Sequence, residues 1–166
     1  MDCRTGILSV IVVLGMLFCG GTAEDKTTAP QWQTDVNHAW QTAQASRRPL
    51  ILYFKMANCV FCRKMERETF ADQALTADMR EQFVAAHLTL EQHGDLVKRY
   101  QVRTFPTTVI ISPDARVIDH IPGYIGPKDL RIRLRVAAET LRIAAEKSAS
   151  QKKSLVPTLR VGTPVF

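Results

Sequence analysis

Cysteine is scarce in this chain. Its 166 residues hold four, Cys3, Cys19, Cys59 and Cys62. The first two fall in an N-terminal segment that reads as a signal peptide, so the mature chain keeps only the close pair. A small exported protein stapled by disulfides carries more, which excludes a stapled scaffold and leaves the pair for chemistry. The companions of other cysteine sites are missing too. Arg63 follows the second cysteine, where a c-type haem attachment needs histidine. His87 and His93 stand too far from Cys62 to complete a standard zinc finger. No aromatic–basic interleaving or nucleic-acid motif is present, which argues against a nucleic-acid partner. There is no internal repeat.

The apolar run Ile7 to Phe18 has 12 residues, fewer than the roughly 20 that a bilayer-spanning helix needs. Arg4 supplies a short basic start, and Gly21-Thr22-Ala23 supplies small residues for cleavage after Ala23. This predicts a signal peptide over 1–23 and a periplasmic or otherwise secreted protein. Asp2 dilutes the basic start, so an uncleaved anchor is the alternative. Bulky Phe18 directly before Cys19 argues against a lipoprotein site.

Hydrophobic residues make up 46% and charged residues 23%, the balance of one globular domain. The net charge of +6 is uneven: residues 24–125 hold 12 basic and 12 acidic residues, and 126–166 hold 9 and 3. A basic tail attracts acidic partners or anionic lipid, although a solvated helix face reads the same way. Membrane contact is expected only through an uncleaved signal or this tail.

Residues 24–31 read as an exposed leader and no strand is expected before the first helix. Thr34 and Asp35 cap that helix, which runs to about Ser46 with Val36, Trp40 and Ala43 on one face. Leu50 to Met56 is apolar except for Lys55, as in a central strand buried on both faces. A helix follows from Cys59 to about Phe70, and a short one from Asp72 to Met79. Phe83 to Leu90 reads as a strand and Asp95 to Tyr100 as a helix. Pro106 before the β-branched run Thr107 to Ile111 belongs at a strand start, because it cannot donate a ladder hydrogen bond. Pro113-Asp114-Ala115 turns the chain into Arg116 to Ile121. Pro127 opens a last helix to about Lys147, with Leu130, Leu134, Ala138 and Leu141 as its apolar stripe. Residues 148–166 read as a basic, flexible tail, and 32–147 as the domain.

Between a strand and a helix, a Cys-x-x-Cys reads as a redox pair. If Cys59 starts the helix, unpaired N–H groups and the helix dipole favour its thiolate, the form that attacks disulfides. Cys62 then lies one turn on, close enough to close a small ring. A structural disulfide or half a zinc site is the alternative.

Three features coincide: Cys59-Val60-Phe61-Cys62, Thr104-Phe105-Pro106-Thr107, and Gly123 after the last strand. With the order of elements, they make residues 32–147 resemble the thioredoxin superfamily, most of all exported thiol:disulfide interchange proteins. The resemblance implies an α/β thioredoxin-like fold with a central mixed β-sheet flanked by helices. It implies Cys59 as the attacking cysteine and Cys62 as the resolving one. It implies a cis bond at Pro106, with the Phe105 backbone pairing with an extended substrate chain. The redox-active disulfide itself serves in place of a cofactor, and no metal is expected. The partners implied are proteins with thiols or disulfides and an upstream redox partner.

Two departures stand out. Tyr53 occupies the position where thioredoxin carries a buried acid, and Asn58 the position where it carries tryptophan. His87 and Glu91 are the positional candidates to accept the Cys62 proton, with water otherwise. The leading reading is an exported thiol–disulfide oxidoreductase, leaning reductive. The alternatives are a non-catalytic client-binding module and a thiolate metal carrier.

Overall fold

The computed structural model describes residues 30–154, with side chains to Gln151. The expected signal peptide, most of the leader and the end of the basic tail lie outside the described residues. In chain order the elements are β1 (Trp32–Gln33), α1 (Val36–Ser46), β2 (Leu50–Lys55), α2 (Val60–Glu68) and α3 (Gln73–Gln82). They continue with β3 (Val84–Thr89), α4 (Gly94–Arg99), β4 (Thr107–Ile111), β5 (Val117–Pro122) and α5 (Pro127–Ser154).

The strands form one mixed sheet in the order β1-β3-β2-β4-β5. β1 and β2 run parallel to β3, and β4 is antiparallel to both β2 and β5. Side chains of β2 alternate between the sheet's faces, as a pleated strand requires. Ile51 and Tyr53 join one core with Met65, Phe70, Met79 and Leu134, under α2, α3 and α5. Leu50, Leu52 and Phe54 join the other with Ala39, Ala43 and Val97, under α1 and α4. A strand buried on both faces has no polar side to spare, hence its unbroken apolar run.

Local sequence signals place the helix starts. Asp35 accepts from the N–H groups of Asn37 and His38, and Asp72 from that of Leu75. Each satisfies donors that a helix start leaves unpaired.

Two boundaries differ from the sequence reading. Trp32 and Gln33 form a strand, and Pro30 is buried, so the leader's end is part of the domain. The two-residue segment carries no period of its own. Tertiary contacts hold it: Trp32 packs edge-on against Phe70 at 4.9 Å and pairs in register with Ala85. Secondly, α5 does not stop near Lys147 but continues to Ser154. Residues 144–151 hold good helix formers with no glycine or proline. Arg142 bonds Glu139 and Glu146, three back and four on, a pairing that supports an exposed helix. On its inner face Leu130, Leu134 and Ala137 are buried, and Ala138 is only partly so.

Candidate active site

Cys59 caps α2. Its backbone is extended (φ −81°, ψ 109°) and its Sγ accepts the Cys62 N–H at 3.1 Å. The sulfur therefore sits at the positive end of the helix, beside donors that the helix cannot use itself. One turn on, Cys62 is 2% exposed. The two are joined as a disulfide, with Cα atoms 5.2 Å apart. Cys59 is half-buried and Cys62 buried, so one cysteine is reachable from solvent and the other faces the core.

Asn58 explains how the chain reaches that cap. Its φ is +56°, in the left-handed region where asparagine is enriched among non-glycine residues. Glu91 braces the same loop by accepting the Ala57 N–H at 2.9 Å. That bond holds its carboxyl below the usual carboxylate range.

β2 and β4 are antiparallel with Phe54 opposite Thr107. The segment entering β4 therefore lies at the sheet end where β2 leaves toward Cys59. That segment is Phe105–Pro106, and its peptide bond is cis, as the resemblance implies. Gly123 donates its N–H to the Pro106 carbonyl at 2.7 Å. Its φ of +82° lies in the left-handed region, which glycine adopts without steric cost. The third sequence feature thus holds the second in place.

Met56, Val60, Phe61 and Leu90 expose apolar surface around the pair, with Val60 at 65% and Phe61 at 59%. Arg63 lines the cavity beside the cysteines. Lys64 is drawn elsewhere: it lies over the Tyr124 ring at 4.6 Å and 3.9 Å from Glu68.

The sequence-predicted proton acceptors are placed apart. A cavity of about 300 Å³ is lined by Cys59, Cys62, Lys55, Glu66 and Glu91 among others. His87 is not part of it. His87 lines a second cavity, of about 250 Å³, with Trp32, Tyr53, Lys55, Glu66 and Phe70. Burial pushes the His87 imidazole below its ordinary value, and the Lys55 ammonium adds to this. Tyr53 donates its hydroxyl to the Cys62 carbonyl at 3.3 Å. Burial, assisted by the Glu66 carboxylate, pushes the phenol well above its ordinary value. Sequence reasoning missed Glu66, whose Oε1 accepts from Lys55 Nζ at 3.0 Å. Its place four residues after Cys62 was the available signal, since such positions are neighbours on a helix face.

A model of the thioredoxin-like domain family matches residues 36–138. An uncharacterized protein of Caenorhabditis elegans is 27% identical over 108 residues, which is 60% of this chain and 15% of that protein. The chain thus spans under a sixth of that relative's length. Among solved structures, a Thermus thermophilus thioredoxin superposes with a TM-score of 0.60 at 24% identity, covering 64% of this chain and 85% of that one. A DsbH oxidoreductase gives 0.57 at 17%, covering 67% and 85%. The reduced C-terminal domain of Neisseria meningitidis DsbD gives 0.52 at 20%, covering 61% and 92%. At these identities the likeness is one of fold. With a cysteine pair at disulfide distance on that fold, it supports thiol–disulfide redox activity in general terms.

Proposed function

The chain belongs to the thioredoxin-like domain family, and on that premise we propose that it is an exported thiol–disulfide oxidoreductase acting on protein disulfides, chiefly as a reductant. The observation that carries this reading is the Cys59–Cys62 disulfide at the N-terminus of α2, with one sulfur half-buried and the other buried. A pair with both sulfurs in the core would serve packing. A pair with one reachable sulfur at a positive helix end serves exchange.

In the reductive direction Cys59 thiolate attacks a client disulfide. A bond forms between Cys59 Sγ and one client sulfur, the client S–S bond breaks, and the departing sulfur takes a proton from solvent. Cys62, deprotonated, then attacks Cys59 Sγ. The Cys59–Cys62 disulfide forms and the second client thiol leaves, two electrons having passed to the client. An upstream dithiol donor restores the pair. The apolar surface of Met56, Val60 and Phe61 suits protein segments rather than small polar thiols, and Phe105 and Pro106 are assigned to hold them extended.

In an insulin-reduction assay with dithiothreitol as donor, the wild type is expected to precipitate insulin well ahead of the uncatalysed control. Cys59→Ser is expected to fall to that control. Wild-type protein no faster than the control would favour a client-binding module instead. Export rests on the run Ile7 to Phe18 and the small residues before Glu24. Intact mass of the exported protein is expected to begin at Glu24; a mass retaining residues 1–23 would defeat cleavage there.

A further inference from the structure

The helix α5 outruns the sheet it covers. Its 28 residues rise about 1.5 Å each and make about 42 Å, whereas the six residues of β2 span about 20 Å. α5 starts soon after Gly123, which bonds Pro106 at the cysteine end of the sheet. Its later turns therefore reach the opposite end, where β2 begins at Leu50 and β4 ends at Ile111. Just outside those two residues stand Pro49 and Pro113. Both line a cavity of about 460 Å³ whose other wall is α5, larger than the 300 Å³ cavity beside the cysteines. The helix supplies Ala138, Leu141, Ala144 and Ala145 to that wall. Alanine side chains are too short to fill the space, so the apolar stripe of α5 ends in an apolar cleft.

The rim of the cleft is cationic. Arg47, Arg48 and Arg116 line it beside one carboxylate, Asp114. Asp114 lies 3.8 Å from Arg47 Nη1 and 3.8 Å from Arg116 Nη2. Neither contact is short enough for a hydrogen bond, so both guanidinium groups keep donors unspent among the described residues. Arg48 gives one nitrogen to the Arg80 carbonyl and one to Ser46 Oγ, and has a third to offer. Arg142 also lines the cleft, but Glu139 and Glu146 already hold it. A merely solvated rim needs no apolar wall, and a packing gap needs no arginines. Apolar walls with a few convergent polar groups, at about 300–1,000 Å³, are the make-up of small-molecule sites. The guanidinium fork matches the oxygens of a carboxylate or phosphate. A stable protein interface takes about 800 Å² per partner, the scale of a whole face rather than a cleft.

We propose that this cleft binds small amphiphilic oxyanions, with an alkyl chain against Ala138, Leu141 and Ala145 and a carboxylate or phosphate-monoester head on Arg47, Arg48 and Arg116. Asp114 competes with the head for two of the arginines. The site lies at the opposite end of the sheet from Cys59 and does not depend on the redox reading.

Titration calorimetry at low salt tests it with four probes: octanoate, octyl phosphate, 1-octanol and inorganic phosphate. At least one of the two amphiphiles is expected to bind at a single site, and the octanol and the inorganic phosphate at least about tenfold more weakly. The preferred head names the source, a free fatty acid or a phosphate ester. Arg116→Gln is expected to weaken binding on the order of tenfold, and Asp114→Asn to tighten it, a change of opposite sign on the same turn. Ala145→Trp, which fills the cleft, is expected to abolish it. Lys128→Gln removes one charge from the other end of α5 and is expected to bind as wild type. Circular dichroism certifies the fold of each variant, and the Asp114→Asn arm tests the site without narrowing the cleft. No binding of either amphiphile would overturn the proposal. So would octanol binding as tightly as octanoate, inorganic phosphate binding as tightly as octyl phosphate, or wild-type affinity in both Arg116→Gln and Ala145→Trp. A dimer in sedimentation that Ala145→Trp dissolves would give the cleft to a second copy of the chain and overturn it as well.

Discussion

Cys62→Ser is expected to accumulate covalent complexes between Cys59 and client proteins. The half-buried sulfur still attacks, but no thiol remains behind it to release the product. On a non-reducing gel of cell extract the variant should give a ladder of heavier species that collapses on reduction. Cys59→Ser should give few or none, because Cys62 is 2% exposed and meets no client. Trapping confined to Cys59→Ser would reverse the two roles. Trapping in neither would point to a module that holds clients without exchanging electrons with them.

Phe54→Ala is expected to cost about 3–5 kcal/mol of stability, the usual range for emptying a buried aromatic site. Phe54 is fully buried in the central strand, among Ala39, Leu88, Val97 and Val102, with the Tyr100 ring 6.0 Å away. Neighbours on two helices, one strand and the segment after α4 cannot all close the space at once. The residue also stands opposite Thr107, so it packs where β2 and β4 bring the cysteine loop and Phe105–Pro106 to one end of the sheet. Urea unfolding should show a lower midpoint with little change in slope. A loss below about 1 kcal/mol would mean that the second core is less tightly packed than its burial implies.

What the sequence made legible followed from period and punctuation. The unbroken run Leu50 to Phe54 announced a doubly buried strand, and Asp35 and Asp72 announced helix starts. The cysteine spacing placed both sulfurs within bonding reach. What stayed hidden was settled by distant contacts. Two residues are too few to show the strand β1, which exists because Trp32 finds Phe70 and the β3 backbone. The continuation of α5 past Lys147 was hidden because scattered polar residues read as a tail, although no glycine or proline interrupts residues 144–151. Asn58 read as a departure from a family pattern, whereas its φ of +56° gives it a local reason. Glu66 read as one of several helix charges, because the cavity it shares with Cys62 is formed by β2 and the loop after β3 as well as by α2.

The central claim is that a helix terminus divides labour between two chemically identical thiols. The most direct measurement is brief alkylation of the reduced protein near pH 7 with iodoacetamide, followed by peptide mapping. Label is expected on Cys59 well before Cys62, since the helix N-terminus favours one thiolate and burial protects the other thiol. Equal labelling of the two, or earlier labelling of Cys62, would contradict the account.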